Sequence, residues 1–338
     1  MIPINLKNEF SLPKIKFDGE AFSSLKMQFA DQILKQSFVN PKLNKQFDDC
    51  SIIYHYTSLT SLTNIIENQS LYFTNLFYLN DKLELKYGIE LIKKVLADTK
   101  TENDSILNLV EDHIQSRINS DRFVFCFSLK GDLLSQWRAY ANNGCGVSIG
   151  FKNHQLKNCL GVRIQQTHID YDEEFQFGKF KEIIQQLIEF FESYKEIFDY
   201  DQLKYDEQVA IAIIEFCEAL IDSLKHPAFL EEKEYRFTHV YNKKQEKIKI
   251  KLRLKENSLI PFIEIPTKAK QYYKEKANGK WDDAGADPTF VIDKLPIQKI
   301  ILGPCLEEKT VIPSLKLLLS KNGYNDVEII KSNIPYRI

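Results

Sequence analysis

The chain has 338 residues, enough for two domains or for one large domain with insertions, and enough to bury a sizeable core. Hydrophobic residues make up 43% and charged residues 27%, with only 12 Gly and 11 Pro, which excludes collagenous, low-complexity and wholly disordered chains. The 45 Lys and Arg nearly balance the 47 Asp and Glu, so a net charge of -2 gives no global pull toward nucleic acid or an anionic membrane, and any such binding needs a local patch.

Residues 1–50 read as an N-terminal extension: Pro-containing extended pieces, then apolar residues at helical spacing from Phe22 to Phe38. Lys7, Glu9, Lys14 and Lys16 interrupt any signal-peptide core, and no uncharged apolar stretch of about 18 residues follows. A cytoplasmic protein with no membrane partner is expected. The six cysteines are scattered without a CxxC pair, which predicts reduced thiols, and with no HExxH pattern no metal is expected.

The β-branched and aromatic run Ser51–Thr57 predicts a strand, and Leu59, Leu62, Ile65 and Ile66 predict the helix after it. Leu71–Thr74 predicts a second strand, and Asn80-Asp81 can cap a helix with Glu84 in its first turn. Helical spacing then continues, broken near residue 100, toward Ser120. Phe123–Ser128, apolar on both faces, predicts a central strand. A short helix through Trp137 and Tyr140 follows. In Gly144–Phe151 the glycines are spaced GxGxxxG and lead into β-rich sequence, so they predict a turn and a strand rather than a dinucleotide fingerprint. Residues 172–225 read as a helical hairpin broken near Asp199–Asp201. Strands are predicted at 232–241, 247–254, 259–265, 297–302 and 327–331, with a polar loop around Asn278-Gly279 and 282–287 and a helix ending near Lys321. No repeat period appears. Irregular alternation of this kind predicts an α+β fold with a mixed β-sheet core, as one domain over 51–338 carrying the helical insertion.

Several groups in this frame could carry chemistry. His55 and Thr57 face one side of their strand and Tyr54 and Tyr56 the other, so imidazole and hydroxyl could hold adjacent sugar or phosphate oxygens; the plainer reading is a histidine satisfied within the core. Asn80 and Asp81 are a helix cap, or a loop closing over a ligand with Tyr72 or Tyr78 as an aromatic platform. Ser128 ends an apolar strand, a usual place for a site residue, but lacks the GxSxG elbow of a nucleophile; Trp137 and Tyr140 share a helix face and read first as packing. Glu232, Glu234 and Arg236 alternate as if on one strand face. Repulsion there raises one carboxyl, while Arg236 keeps its neighbour ionised, and an oriented carboxylate can grip a ribose hydroxyl and stabilise an oxocarbenium-like transition state. The plainer reading is a solvated face with a cross-strand ion pair. Lys247, Lys249, Lys251, Arg253 and Lys255 alternate with Ile248, Ile250, Leu252 and Leu254, a cationic strand face that suits nucleic acid or simply protects an edge.

Tyr54–Ser58, Leu71–Thr74 leading to Asn80, Asp81 and Glu84, Phe127-Ser128, Trp137–Tyr140, Gly146–Phe151, Glu232–Arg236, Ile300–Pro304 and Pro335–Arg337 together resemble a bacterial family of domains of unknown function, DUF2971. The resemblance runs from about residue 50 to the end. Family members often carry Lys or His at the position of His55, which implies an oxygen binder rather than an obligatory base, and their loop usually reads Phe-Asn-Asp-Pro where this chain has Leu79-Asn-Asp-Lys82. The opening also looks like the start of the ADP-ribosyltransferase fold. That resemblance implies contact of His55 and Thr57 with the ribose of NAD, stacking of Tyr72 on nicotinamide, and Glu234, or else Glu232, on the ribose hydroxyl. The expectation is an NAD-consuming enzyme with NAD as substrate and no metal, transferring ADP-ribose to a macromolecular acceptor or to water, as a toxin or defence effector. Arg236 would keep the glutamate charged. The alternative is a non-catalytic nucleic-acid or partner-binding module using strand 247–255.

Overall fold

The computed structural model describes residues 15–16, 18–34, 51–79, 83–99, 104–117, 122–160, 164–241, 248–255, 257–267 and 294–337. Two compact units emerge, one from residues 1–38, 89–118 and 174–221, the other from 39–88, 119–173 and 222–338.

The first unit is helical. It contains α1 (Gly19–Leu34), most of α3 (Leu83–Thr99, following α2, Leu59–Asn68, of the other unit), α4 (Ser105–Arg117), α7 (Glu173–Tyr194) and α8 (Gln202–Ile221). Aromatic side chains knit it: Phe22 stacks on Phe191, and Phe29 meets Phe216 edge to face. The break between α7 and α8 is a single 3-10 turn over Lys195–Ile197 and a two-residue strand, Phe198–Asp199, which pairs with Ile15–Lys16. Tyr205 closes this corner by donating its hydroxyl to the Phe191 carbonyl at 2.6 Å.

The second unit is built on a mixed, mostly antiparallel sheet, and the fold is α+β. Numbering the two short strands just named β1 and β7, the sheet contains β2 (Ile52–Thr57), β3 (Ser70–Asn75), β4 (Arg122–Ser128), β5 (Val147–Lys152), β6 (Gln165–His168), β8 (Glu234–Val240), β9 (Ile250–Lys255), β10 (Ser258–Pro266), β11 (Ile297–Leu302) and β12 (Glu328–Lys331). Its path is β12-β11-β5-β2-β4-β3-β10-β9, with β8 pairing β4 and β6 off that path. Helices α2, α5 (Leu134–Tyr140), α6 (Asn153–Cys159) and α9 (Glu308–Lys321) complete the unit.

The central strand explains the site. On one edge β4 pairs with β8 along its whole length, from Arg122 opposite Val240 to Ser128 opposite Glu234. On the other edge it meets β2 only where Tyr54 faces Ser128, and β3 only at Thr74 and Asn75. Between those contacts the sheet is split, and no strand is laddered to Phe125–Phe127 on that side among the described residues. The apolar face carries the main core, with Ile53, Phe73, Phe125, Phe127, Ile149, Phe237 and Ile263 fully or almost fully buried. The alternation expected for β2 is present: Ile53 belongs to that core, whereas Tyr56 and Tyr54 pack with Trp137 and Ala141 on the opposite face.

The glycines of Gly144–Gly150 serve the chain's own geometry. Gly144 has φ 86°, in the left-handed region, and a Cβ on Gly146 would collide with the carbonyl oxygens of Thr57 and Ala141.

Candidate functional site

A cavity of about 450 Å³ opens at the split and is lined by β2, β3, β4, β8, the start of α2, Gln136 and Tyr140 of α5, and Arg253 of β9. His55 and Glu234, remote in sequence, both line it, as do Thr57, Tyr72, Ser128, Tyr140, Glu232 and Arg236.

His55 fills part of the gap that β2 leaves as it diverges from β4. Its Nδ1 lies 2.9 Å from the Cys126 carbonyl, and its ring lies 4.1 Å from that of Phe125. Because a carbonyl only accepts, Nδ1 carries the proton and Nε2 is left as an acceptor. Loss of hydration lowers the imidazole pKa to about 4, against the Cys126 bond, and the charge of Arg253 lowers it further. His55 is therefore neutral near pH 7. Thr57, almost fully buried, lies at the same end of β2.

The other end of the cavity is a closed ionic network. Arg236 grips Glu234 with two bonds, Nε to Oε1 at 2.7 Å and Nη2 to Oε2 at 3.0 Å. Lys225 bridges the two glutamates, 2.6 Å from Glu232 Oε2 and 3.1 Å from Glu234 Oε2. Tyr140 donates to Glu232 Oε1 at 3.0 Å. Burial pushes the Glu234 carboxyl upward, but the Arg236 guanidinium and the Lys225 ammonium outweigh it and hold this group well below the usual carboxylate range. Burial dominates at Glu232, so its carboxyl titrates higher than usual despite Lys225. Two carboxylates sharing one ammonium are thus pushed apart in acidity: one fixed as an anion, one closer to exchanging a proton.

Glu232 does not sit on the strand with Glu234, as its spacing predicted. It ends a 3-10 turn over Pro227–Glu232, Lys233 takes a left-handed conformation at φ 48°, and β8 begins at Glu234. The Ser128 hydroxyl donates to the Glu232 carbonyl at 2.8 Å and accepts from the Lys130 amide, so Ser128 holds the turn against the end of β4. Trp137 does not line the cavity. It is fully buried, its Nε1 donates to Asp132 Oδ1 at 2.6 Å, and Tyr56 packs on its edge. Tyr72 reaches the cavity with one flank of its ring already against Phe262, centroids 4.7 Å apart. Asn80 and Asp81 lie outside the described residues, and of Glu84 only the backbone within α3 is described.

The basic strand is not a uniform cationic face. Lys251 pairs with Glu264 at 2.5 Å, Arg253 donates to Thr74 Oγ1 at 2.7 Å and lines the cavity, and Lys247 lies outside the described residues. The alternating apolar residues Leu252 and Leu254 are 61% and 74% exposed, so β9 is an edge strand whose apolar side is uncovered by any described residue.

Lys225 is the group that sequence reading missed. It stands at the end of the helical run, with no local pattern distinguishing it from a solvated lysine, yet it is 3% exposed. Its burial is made possible by its two glutamates and by the ring of Phe229, 4.8 Å away.

Residues 136–237 match the family model of a protein of unknown function, DUF2971. This is the family the sequence marks resembled. The match takes in Gln136, Tyr140, Lys225, Glu232, Glu234 and Arg236, the ionic end of the cavity, and stops short of β2 with His55. No curated protein and no solved structure is similar enough to count as a match. Among the described residues no cluster of three or more His, Cys, Asp or Glu side chains is placed to hold a metal ion, and no helix is long and apolar enough to cross a membrane.

Proposed function

We propose that the cavity binds NAD and that the chain cleaves its nicotinamide–ribose bond, passing ADP-ribose to an acceptor or to water. The observation that carries this reading is the meeting of His55 and Glu234 in one cavity, the first neutral with an open Nε2, the second an oriented anion. In that reaction the C1′–N1 bond breaks with its electron pair going to the nicotinamide ring nitrogen, which leaves neutral. Positive charge grows on the ribose C1′ and ring oxygen. Glu234 is suited to stabilise it because Arg236 and Lys225 keep it ionised without any cost of reorganisation at the moment of reaction. Arg236 and Lys225 donate three hydrogen bonds to its carboxylate and the Cys126 thiol a weaker fourth, so a ribose hydroxyl would take the place of the thiol. A nucleophile then attacks C1′ and must lose a proton; Glu232, the less acidic of the two carboxyls, is the natural acceptor, with Tyr140 beside it. His55 and Thr57 would hold oxygens of the dinucleotide.

Purified protein incubated with NAD is expected to release nicotinamide. Glu234→Gln removes the anion while keeping its shape, and should lower turnover by about 100-fold or more, the scale of losing a principal electrostatic stabiliser. Undiminished release by the folded variant would dismiss the role of Glu234, and absence of nicotinamide release from wild type across plausible acceptors would dismiss the reading.

A further inference from the structure

The charged groups lining the cavity fall into two sets. Lys225, Glu232, Glu234 and Arg236 neutralise one another within a closed network. Arg253 stands apart: its guanidinium has the neutral Thr74 hydroxyl and the face of Phe262, 5.8 Å away, and no carboxylate within ion-pair distance among the described residues. Among the described residues it therefore brings a positive charge that no carboxylate of the cavity compensates. It also retains donors beyond the one given to Thr74, in a fork suited to two oxygens of one anion.

The register fixes where this charge lies. Arg253 pairs across β10 with Ile260, and Thr74, the residue it bonds, sits opposite Val124 near the start of β4. Glu234 sits opposite Ser128, at the end of the same strand. Four residues of strand separate those ends, roughly 13 Å. A ligand that satisfies both must be extended, with sugar at one end and an anion at the other, which is the form of a nucleoside diphosphate conjugate. Arg253 and His55 line the same cavity, which puts this anion subsite within the site rather than at a remote surface.

We propose that Arg253, with the Thr74 hydroxyl, is the diphosphate-binding subsite of this cavity and sets its preference for nucleotides over nucleosides. The inference deepens the NAD reading and rests on it for the identity of the sugar end.

Titration calorimetry on the full chain with ADP, adenosine and inorganic pyrophosphate tests the subsite. Wild type should bind ADP at least about ten-fold tighter than adenosine, and Arg253→Gln should weaken ADP by about 10- to 100-fold, the range for hydrogen bonds to a charged group, while leaving adenosine unchanged. Lys251→Gln, which removes an ammonium already paired with Glu264 on the same strand, should leave ADP binding as it was. Equal affinity for ADP and adenosine, no binding of any of the three probes, or equal losses in the two variants would overturn the subsite. Pyrophosphate binding without discrimination between ADP and adenosine would mark a bare anion hole and would also overturn it. The NAD reading fails separately: Arg253-dependent ADP binding without nicotinamide release keeps the subsite and removes the reaction, whereas nicotinamide release with an unchanged KM in Arg253→Gln keeps the reaction and removes the subsite.

Discussion

His55 does two things with one ring. Its Nδ1–H donates to the Cys126 carbonyl where β2 diverges from β4, and its desolvation keeps it neutral. The second has a consequence for stability. In the unfolded chain the imidazole takes up a proton as pH falls below about 6.5, while the folded form resists until about 4. Protons thus favour the unfolded state, and stabilisation present above pH 6.5 drains away as pH falls toward 4. His168, lowered to about 3 by burial, adds a similar contribution over a wider window. In His55→Asn the amide can still donate to the carbonyl but does not titrate. Urea unfolding between pH 7.5 and 4 should show the pH slope of stability reduced by up to about 1.4 kcal/mol per pH unit, one proton's share. An unchanged slope would mean that His55 titrates freely in the folded protein.

At the scale of elements, period and turn chemistry were readable and the exceptions are instructive. The strand Ser51–Thr57, the helix after it and the central strand ending at Ser128 stand where alternation and β-branching put them, because each buries an apolar face that its own residues define. The helix Asn153–Cys159 was hidden by its polar start, Asn-His-Gln, which offers little periodicity over so short a length. Glu232 was misplaced because period-two spacing cannot register a left-handed residue at Lys233, where nothing but local turn formation breaks the strand. Gly146 lies where β5 leaves the turn, its Cα turned toward the Thr57 carbonyl at the very end of β2. Gly146→Ala forces backbone apart at the edge of the cavity and should cost about 1–3 kcal/mol, the range for overpacking, with His55 and Thr57 displaced in consequence. Thermal unfolding measures the loss. A melting temperature equal to that of wild type would show the turn to be pliant there.

Across the whole molecule, what sequence could not supply was distance. The spacing of Glu234 and Arg236 is local and was legible, whereas the meeting of β2 with β8 passes through β4, and the role of Lys225 depends on a helix end being brought beside a strand start; neither leaves a trace in neighbouring residues. The division into two compact units was equally illegible, since the helical unit is gathered from separate stretches whose amphipathic patterns do not name their partners. Every residue lining the cavity belongs to the sheet unit. A ligand held there stabilises that unit by mass action, by about 2.7 kcal/mol at 100 times its dissociation constant. Hydrogen exchange resolved by segment should therefore slow at the amides of β2, β4 and β8 when ADP-ribose is added, with less protection gained at those amides of α8 that exchange by local opening. Protection confined to the helices would place the binding site away from the split sheet and take His55, Glu234 and Arg253 out of the ligand's reach together.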